Sequence, residues 1–541
     1  MSTRLLSLFP TENNAVATGN NYLFGAPNSN RSNNFLAKID HRVTSKLNLS
    51  GRYIFGQGTQ VFPLTSGNGS LLPAYQTVVP TRIQLVGINL PYLIRPTLIN
   101  ELRLSYNRFT QAFAPLDAGF DPSSIGLNTG LSTGGLPTIT ITGLVPLGSP
   151  NNLPRSRVSS AYQVVDNVTW TSGAHTYKVG GEYRRPLVNS VNDTFKRGQI
   201  NFTSLANFLA GVPSPGSTVI LRGGTRRDTF SHNLGLFAQD DWKVNQRLTL
   251  NLGLRYEYTG VFADAHERIS NFVPSIGLVQ VGDPALPRLY RRDRNNFAPR
   301  LGFAYDLTGK SKAILRAAYG IYYDAPSQDF FLAHSFQNGG PGSVGNNFLP
   351  AIGTFNVTFP STATVPFGTG LPIFPGTTAP PTPFPIFAVD TNLRTPYVQS
   401  YNANLQYSLS DATVLQVSYV GSQARKLYRV RDINQAVPGA GSAQSRRPFN
   451  TQFPQFSFIN YFETSANSNY NAVQTYLRQR ASNGLTLFVS YTLSKSIDDA
   501  SNGIYGGTRG VSFPQDSNNA RAERALVEFR RAAALDREFR L

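Results

Sequence analysis

The 541-residue chain has no cysteine, one methionine and two tryptophans. Without cysteine there is neither a disulfide framework nor a thiolate metal site, though the compartment stays open. Acidic residues are scarce: 30 Asp and Glu stand against 49 Lys and Arg, a formal charge of +19. Such a balance invites a nucleic-acid reading. The arginines are spread along the chain instead of gathered into one arm, so no nucleic-acid partner is expected. Long hydrophobic runs are also missing. The longest uncharged stretch, 330–389, holds Pro360, Pro366, Pro372, Pro375, Pro380, Pro381, Pro383 and Pro385. Proline at that density excludes a spanning helix. Met1 to Pro10 lacks the apolar core and cleavage pattern of an export signal.

What the chain does have is alternation. Over 247–259, Leu248, Leu250, Leu252, Leu254, Tyr256 and Tyr258 fall on one face, and Thr249, Asn251, Gly253, Arg255 and Glu257 on the other. Period two over this length is a strand signal. It recurs in Leu315, Ala317, Tyr319, Ile321 and Tyr323, in Leu415, Val417 and Tyr419, and in Leu485, Leu487, Val489, Tyr491 and Leu493. Fourteen strands are predicted, over 35–42, 46–56, 82–91, 96–109, 160–170, 175–185, 232–242, 247–259, 297–306, 313–323, 396–409, 412–421, 469–480 and 484–495. Several are longer than the soluble norm of about five or six residues.

The connections have a rhythm. Within a pair of strands the link is two to five residues, and between pairs some 26 to 72. The long links, 57–81, 110–159, 186–231, 260–296, 324–395 and 422–468, are rich in Gly, Pro, Asn, Ser and Thr. Short turns on one side and long loops on the other are the habit of outer-membrane barrels. An antiparallel, up-and-down transmembrane β-barrel with long external loops is therefore expected, with Leu250, Leu252 and Leu254 facing lipid and Asn251 and Arg255 facing the interior. Trp170, Trp242, Tyr256, Tyr258 and Tyr323 are candidates for the interfacial aromatic girdles. With about 14 strands, the expected sheet is open and curved.

Several segments in order resemble the barrel of TonB-dependent transporters, most closely the Oar-like branch. They are Leu236 to Lys243 (LFAQDDWK), Leu248 to Glu257 (LTLNLGLRYE), Asn296 to Tyr305 (NFAPRLGFAY), Leu315 to Tyr323 (LRAAYGIYY), Val417 to Ser422 (VSYVGS) and Ser490 to Ser496 (SYTLSKS). The resemblance implies a barrel of about 22 strands in the outer membrane. It also implies an N-terminal plug, a periplasmic energy-coupling partner acting through that plug, and an external ligand of unknown identity. No plug-like sequence precedes residue 35, so the chain reads as the middle and later part of such a barrel. The division expected is an irregular segment over 1–34, a partial barrel over 35–519, and an atypical tail over 520–541 with helical character around Leu526, Phe529, Ala533 and Leu535.

No site for chemistry stands out. Gly340 to Gly345 (GPGSVG) has dinucleotide spacing but lies in a Pro/Gly-rich loop, without the strand and helix such a turn needs. His41, His175, His232, His266 and His334 are too scattered for a zinc site. Asp240 and Asp241, adjacent on a strand, point to opposite faces and cannot share one substrate atom. Asp498 and Asp499 form the other adjacent acidic pair. No catalytic, cofactor or metal residue is assigned, and no enzyme is expected. Phe330, Phe331, Phe336, Phe384 and Phe387 are expected to pack within the loops in preference to touching a ligand. The leading reading is the barrel of an outer-membrane transporter in contact with outer-membrane lipid. The rivals are an adhesive barrel and a secreted carbohydrate-binding β-protein.

Overall fold

The computed structural model describes residues 2–15, 19, 21–25, 28–62, 70–214, 218–222, 225–328, 331, 351–355, 374, 383–480, 484–500, 514–519, 522–526 and 533–540. Its main feature is one large antiparallel sheet. In chain order the sheet strands are β1 (Ser29–Arg42), β2 (Asn48–Phe62), β3 (Thr77–Arg95), β4 (Leu98–Pro115), β5 (Arg155–Ser172), β6 (His175–Asn192), β7 (Asn233–Lys243) and β8 (Leu248–Thr259). They continue as β9 (Asn296–Asp306), β10 (Ala313–Tyr323), β11 (Tyr397–Ser410), β12 (Thr413–Asp432), β13 (Phe456–Arg480), β14 (Thr486–Asp498) and β15 (Ala533–Arg540). Each pairs antiparallel with the next. As expected, β8 lies between β7 and β9. All fourteen expected strands are present. Among the described residues β1 pairs with β2 alone, so the sheet is not closed.

The short connections run from two residues at 96–97 to six at 307–312. They gather at one end, and the long connections at the other. The turn after β5 needs Gly173, whose φ of 56° lies in the left-handed region. The tail departs from the helix expected over 520–541: 533–540 is a strand, paired Leu493↔Ala533 through Thr486↔Arg540. The free backbone edge of β14 offers a full ladder of hydrogen bonds to an extended segment, and a helix there would leave it unmet. The start of the chain is also more ordered than expected. Helix α1 (Ser2–Leu6) buries Leu5 completely.

The side chains sort by parity. Leu252 and Leu254 stand 40% and 50% exposed on one face of β8. Leu301, Leu405, Val417, Val473 and Leu493 continue that apolar outer surface on the neighbouring strands. No aqueous protein would leave so broad an apolar face uncovered, and on a membrane strand this is the lipid side. Among the described residues two carboxylates interrupt it: Asp166 on β5, which accepts from Asn100 Nδ2 at 2.6 Å, and Asp240 on β7.

The loops at the long end pack on themselves. One lobe has a small sheet of 138–141, 199–202, 218–222 and 351–355, with 138–141 and 199–202 parallel. It encloses Leu127, Leu136, Ile139, Leu147, Phe202 and Phe208. Helix α2 (Leu205–Ala210) seats Phe208 there, capped at its start by the Ser204 side chain and at its end by Gly211. A second lobe stands on the extensions of β12 and β13. There Phe272 meets Phe449, Phe453 and Phe456 edge-on. Strand 384–389 runs parallel to 456–462, with a register break where Pro385 has no N–H to give.

Candidate functional site

The inner face of β6–β11 forms a polar cleft of about 520 Å³. Lys178, Gln239, Asp241, Asn251, Arg300 and Asn402 are prominent in its lining. Glycine at 253, 302 and 320 keeps its floor low. A Cβ at Gly253 or Gly302 would meet nothing nearer than 3.6 Å, so no neighbour among the described residues demands glycine there. Strand glycines mark a bulge, a bend of the barrel wall or a close approach by another molecule or segment.

The cleft is held by a hydrogen-bonded wall. Asn251 Nδ2 donates to Asp241 Oδ1 at 2.6 Å. Arg255 lies 2.7 Å from Glu257 and 3.6 Å from Glu182, and Glu182 accepts from Gln163 at 2.8 Å. The Arg300 guanidinium lies over the Tyr322 ring at 4.7 Å. Arg316 donates to Gln406 at 3.0 Å. Asn251 and Arg255 thus face the interior, as the alternation predicts. The sequence reading did not single out Arg300 and Tyr322, although they share the parity of Gly302 and Gly320, opposite the leucine face.

The titratable residues named from the sequence do not converge. His41 lies on β1 opposite Leu49, and His232 sits 2.7 Å from the Tyr183 hydroxyl. His266 is 3.4 Å from Asp228 and His175 is 2.7 Å from Asp240. Asp240 and Asp241 do point to opposite faces: Asp240 is across from Leu252 and Asp241 across from Asn251. Asp499 pairs with Arg429 at 2.9 Å. Phe331, Phe384 and Phe387 are 4%, 4% and 5% exposed, packed inside the outer lobes as expected. Phe330, Phe336, His334 and Gly340 to Gly345 lie outside the described residues. Among the described residues no three His, Cys, Asp or Glu side chains gather to hold a metal.

Above the cleft the lobes are fastened by buried charge. Arg268 bridges Asp228 at 2.7 Å and Asp264 at 2.8 Å. Burial alone would raise the Asp264 pKa, but the hydrogen bonds from Arg268 outweigh it and hold the carboxyl below its usual range. Asp228 is likewise held low against its burial, by bonds from Asn189 and Arg268. Neighbouring Arg227 is fully buried, and desolvation brings its pKa down to about 10. In the other lobe Asp117 accepts from Arg197 at 2.7 Å, Ser149 at 2.6 Å and the Leu136 N–H at 3.0 Å. These partners are separated by up to 80 residues, and no local pattern announces them.

Two aromatic belts bound the apolar face. At the short-turn end Trp170, Tyr177, His175 and Trp242 stack in a row, with centroids 5.1–5.5 Å apart. Toward the loop end Tyr256 meets Phe297 at 5.1 Å and Tyr323 meets Tyr397 at 5.9 Å. This is the two-girdle arrangement of a membrane barrel.

Comparison with known proteins agrees. The family model described as "Outer membrane beta barrel domain" matches residues 1–537. No curated protein matches the sequence. Among solved structures, the outer membrane transporter YddB from Escherichia coli is similar, with a TM-score of 0.55 at 10% identity over 88% of this chain and 49% of that one. A mutant ferric enterobactin receptor, PfeA, from Pseudomonas aeruginosa gives 0.47 at 13% identity, over 87% of this chain and 55% of its own. The copper transporter OprC gives 0.47 at 12%, over 86% and 55%. The chain spans about half the length of these structures. At such identities the likeness is one of fold. An ordered meander of membrane-length strands, two aromatic girdles and a family model covering nearly the whole sequence lead to one conclusion: this chain belongs to the outer membrane beta barrel domain family and resides in the cell outer membrane.

Proposed function

We propose that the chain is the barrel wall of a TonB-dependent transporter that takes up a nutrient from outside the cell. The observation that carries this reading is the polar, glycine-floored cleft on the inner face, beneath packed outer lobes. A wall of hydrogen-bonded Asn, Gln, Arg and Asp side chains suits an aqueous path, and the lobes above suit capture of an external ligand. A plug outside residues 1–541 and a periplasmic protein that pulls on it belong to the same reading. No catalytic role is proposed.

The test is uptake in cells with the full-length gene deleted and restored, with and without a proton-motive force. Uptake that needs both the gene and the force supports the proposal. Uptake that needs the gene but survives collapse of the force makes the protein a passive pore. Unchanged uptake with lost surface attachment makes it an adhesive barrel, a reading that the well-packed lobes also suit.

A further inference from the structure

We propose that the short-turn rim of β5–β7 is a binding site for a primary ammonium headgroup, and that its ligand is phosphatidylethanolamine in the periplasmic leaflet. The site stands whether or not the barrel transports. Its centre is Asp240, a carboxylate on the lipid face directly across from Tyr177. Oδ2 accepts from His175 Nδ1 at 2.7 Å, so the ring hydrogen sits on Nδ1. Oδ1 is enclosed and has no hydrogen-bond partner among the described residues. His175 supplies one hydrogen bond, to Oδ2, which leaves the second oxygen of the carboxylate short of a donor.

Around the carboxylate stands the aromatic row. Trp170 meets Tyr177 at 5.5 Å, Tyr177 meets His175 at 5.3 Å, and His175 meets Trp242 at 5.1 Å. Both tryptophans of the chain are in it. A carboxylate beside stacked aromatic faces is a chemical environment for an organic ammonium. The depth fits a lipid headgroup. His175 opens β6, and Trp242 is next to the last residue of β7. Asp240 is two residues deeper, about 7 Å along the strand. The nearest strand cations do not compete for it: Lys178 pairs with Gln239 and Lys243 with Thr249, positions of the opposite face.

Three N–H donors distinguish ethanolamine from choline, which has none, and positive charge distinguishes it from glycerol headgroups. The experiment uses the full-length protein in micelles doped equally with phosphatidylethanolamine, phosphatidylcholine and phosphatidylglycerol, with retained lipid counted by native mass spectrometry. Ethanolamine lipid should be retained about tenfold over glycerol lipid, as expected for a partly desolvated ammonium site. Asp240→Asn should erase that preference. Tyr177→Leu should weaken retention but keep the order. A methylation series from ethanolamine through its mono- and dimethyl forms to choline tests the wild type without relying on any variant's folding, and retention should fall at each step. Equal retention along the series, or an unchanged preference in a folded Asp240→Asn protein, would overturn the proposal.

Discussion

Leu254→Arg should destabilise the barrel much more than Asn251→Arg, with Leu252→Arg between them. Leu254 is 50% exposed on the outer face and lies across from Ala238 and Pro299, neither of which can meet a charge. Leu250 is the partner of Trp242 in the lower girdle, and Leu254 is four residues further along β8. That is about 13 Å along the strand and about 10 Å along the membrane normal at barrel tilt, near the middle of an apolar band about 25 Å tall. Arginine at such depth costs about 2–4 kcal/mol. Asn251 instead borders the aqueous cleft beside Asp241, so arginine there gains a carboxylate partner and should cost well under 1 kcal/mol. Leu252 is the instructive case. It faces lipid, but its cross-strand neighbour is Asp240. An arginine there could pair with that carboxylate and recover part of the cost. The assay is urea titration of the full-length protein folding into lipid vesicles, monitored by tryptophan emission and heat-modifiable migration. Equal losses for all three variants would refute the face assignment, and Leu252→Arg as costly as Leu254→Arg would refute the role given to Asp240.

Three further outcomes concern the outer lobes. Arg197→Ala strands the buried Asp117 carboxylate and should loosen the first lobe by about 3–5 kcal/mol, read as faster amide exchange over 116–154. Phe272→Ala removes a fully buried ring from among Phe449, Phe453 and Phe456 and should cost the second lobe about 3–5 kcal/mol, visible in the same exchange experiment over 260–295. Asp228 and Asp264 have depressed folded pKa values, so their contribution is present above the unfolded carboxylate value of about 3.9 and is lost as pH falls through the folded values. Limited proteolysis of 260–295 should therefore be flat from pH 8 to 5 and rise below about pH 4. A rise already at pH 6 would refute the role given to the two carboxylates.

The membrane part of the fold was legible because lipid on one side and a polar interior on the other impose period two. Leu248 to Tyr258 display it over the full width of the bilayer. Where strands leave the membrane the pattern fails. The strand read as 469–480 begins at Phe456, and its first half buries Ile459 and Phe462 under loop layers of mixed polarity. The strand read as 412–421 runs on to Asp432 for the same reason. The parallel pairing of 384–389 with 456–462 joins segments about seventy residues apart and leaves no mark in either. In the cleft, Asn251 and Arg255 were found by parity. The clamp of Arg268 on Asp228, 40 residues away, depends on loop closure that no local spacing encodes, although its other arm, to Asp264, spans only four residues.

The strictly sequential order of the sheet also bears on how such chains can change. Because every strand neighbours the next and each short turn lies at the same end, the unit of inheritance is a hairpin with its following loop. Adding or losing one such unit shifts the circumference but leaves every remaining strand with its direction, its lipid side and its solvent end. Adding or losing a single strand would turn each later loop toward the wrong compartment. Variation in this lineage should therefore come in pairs of strands.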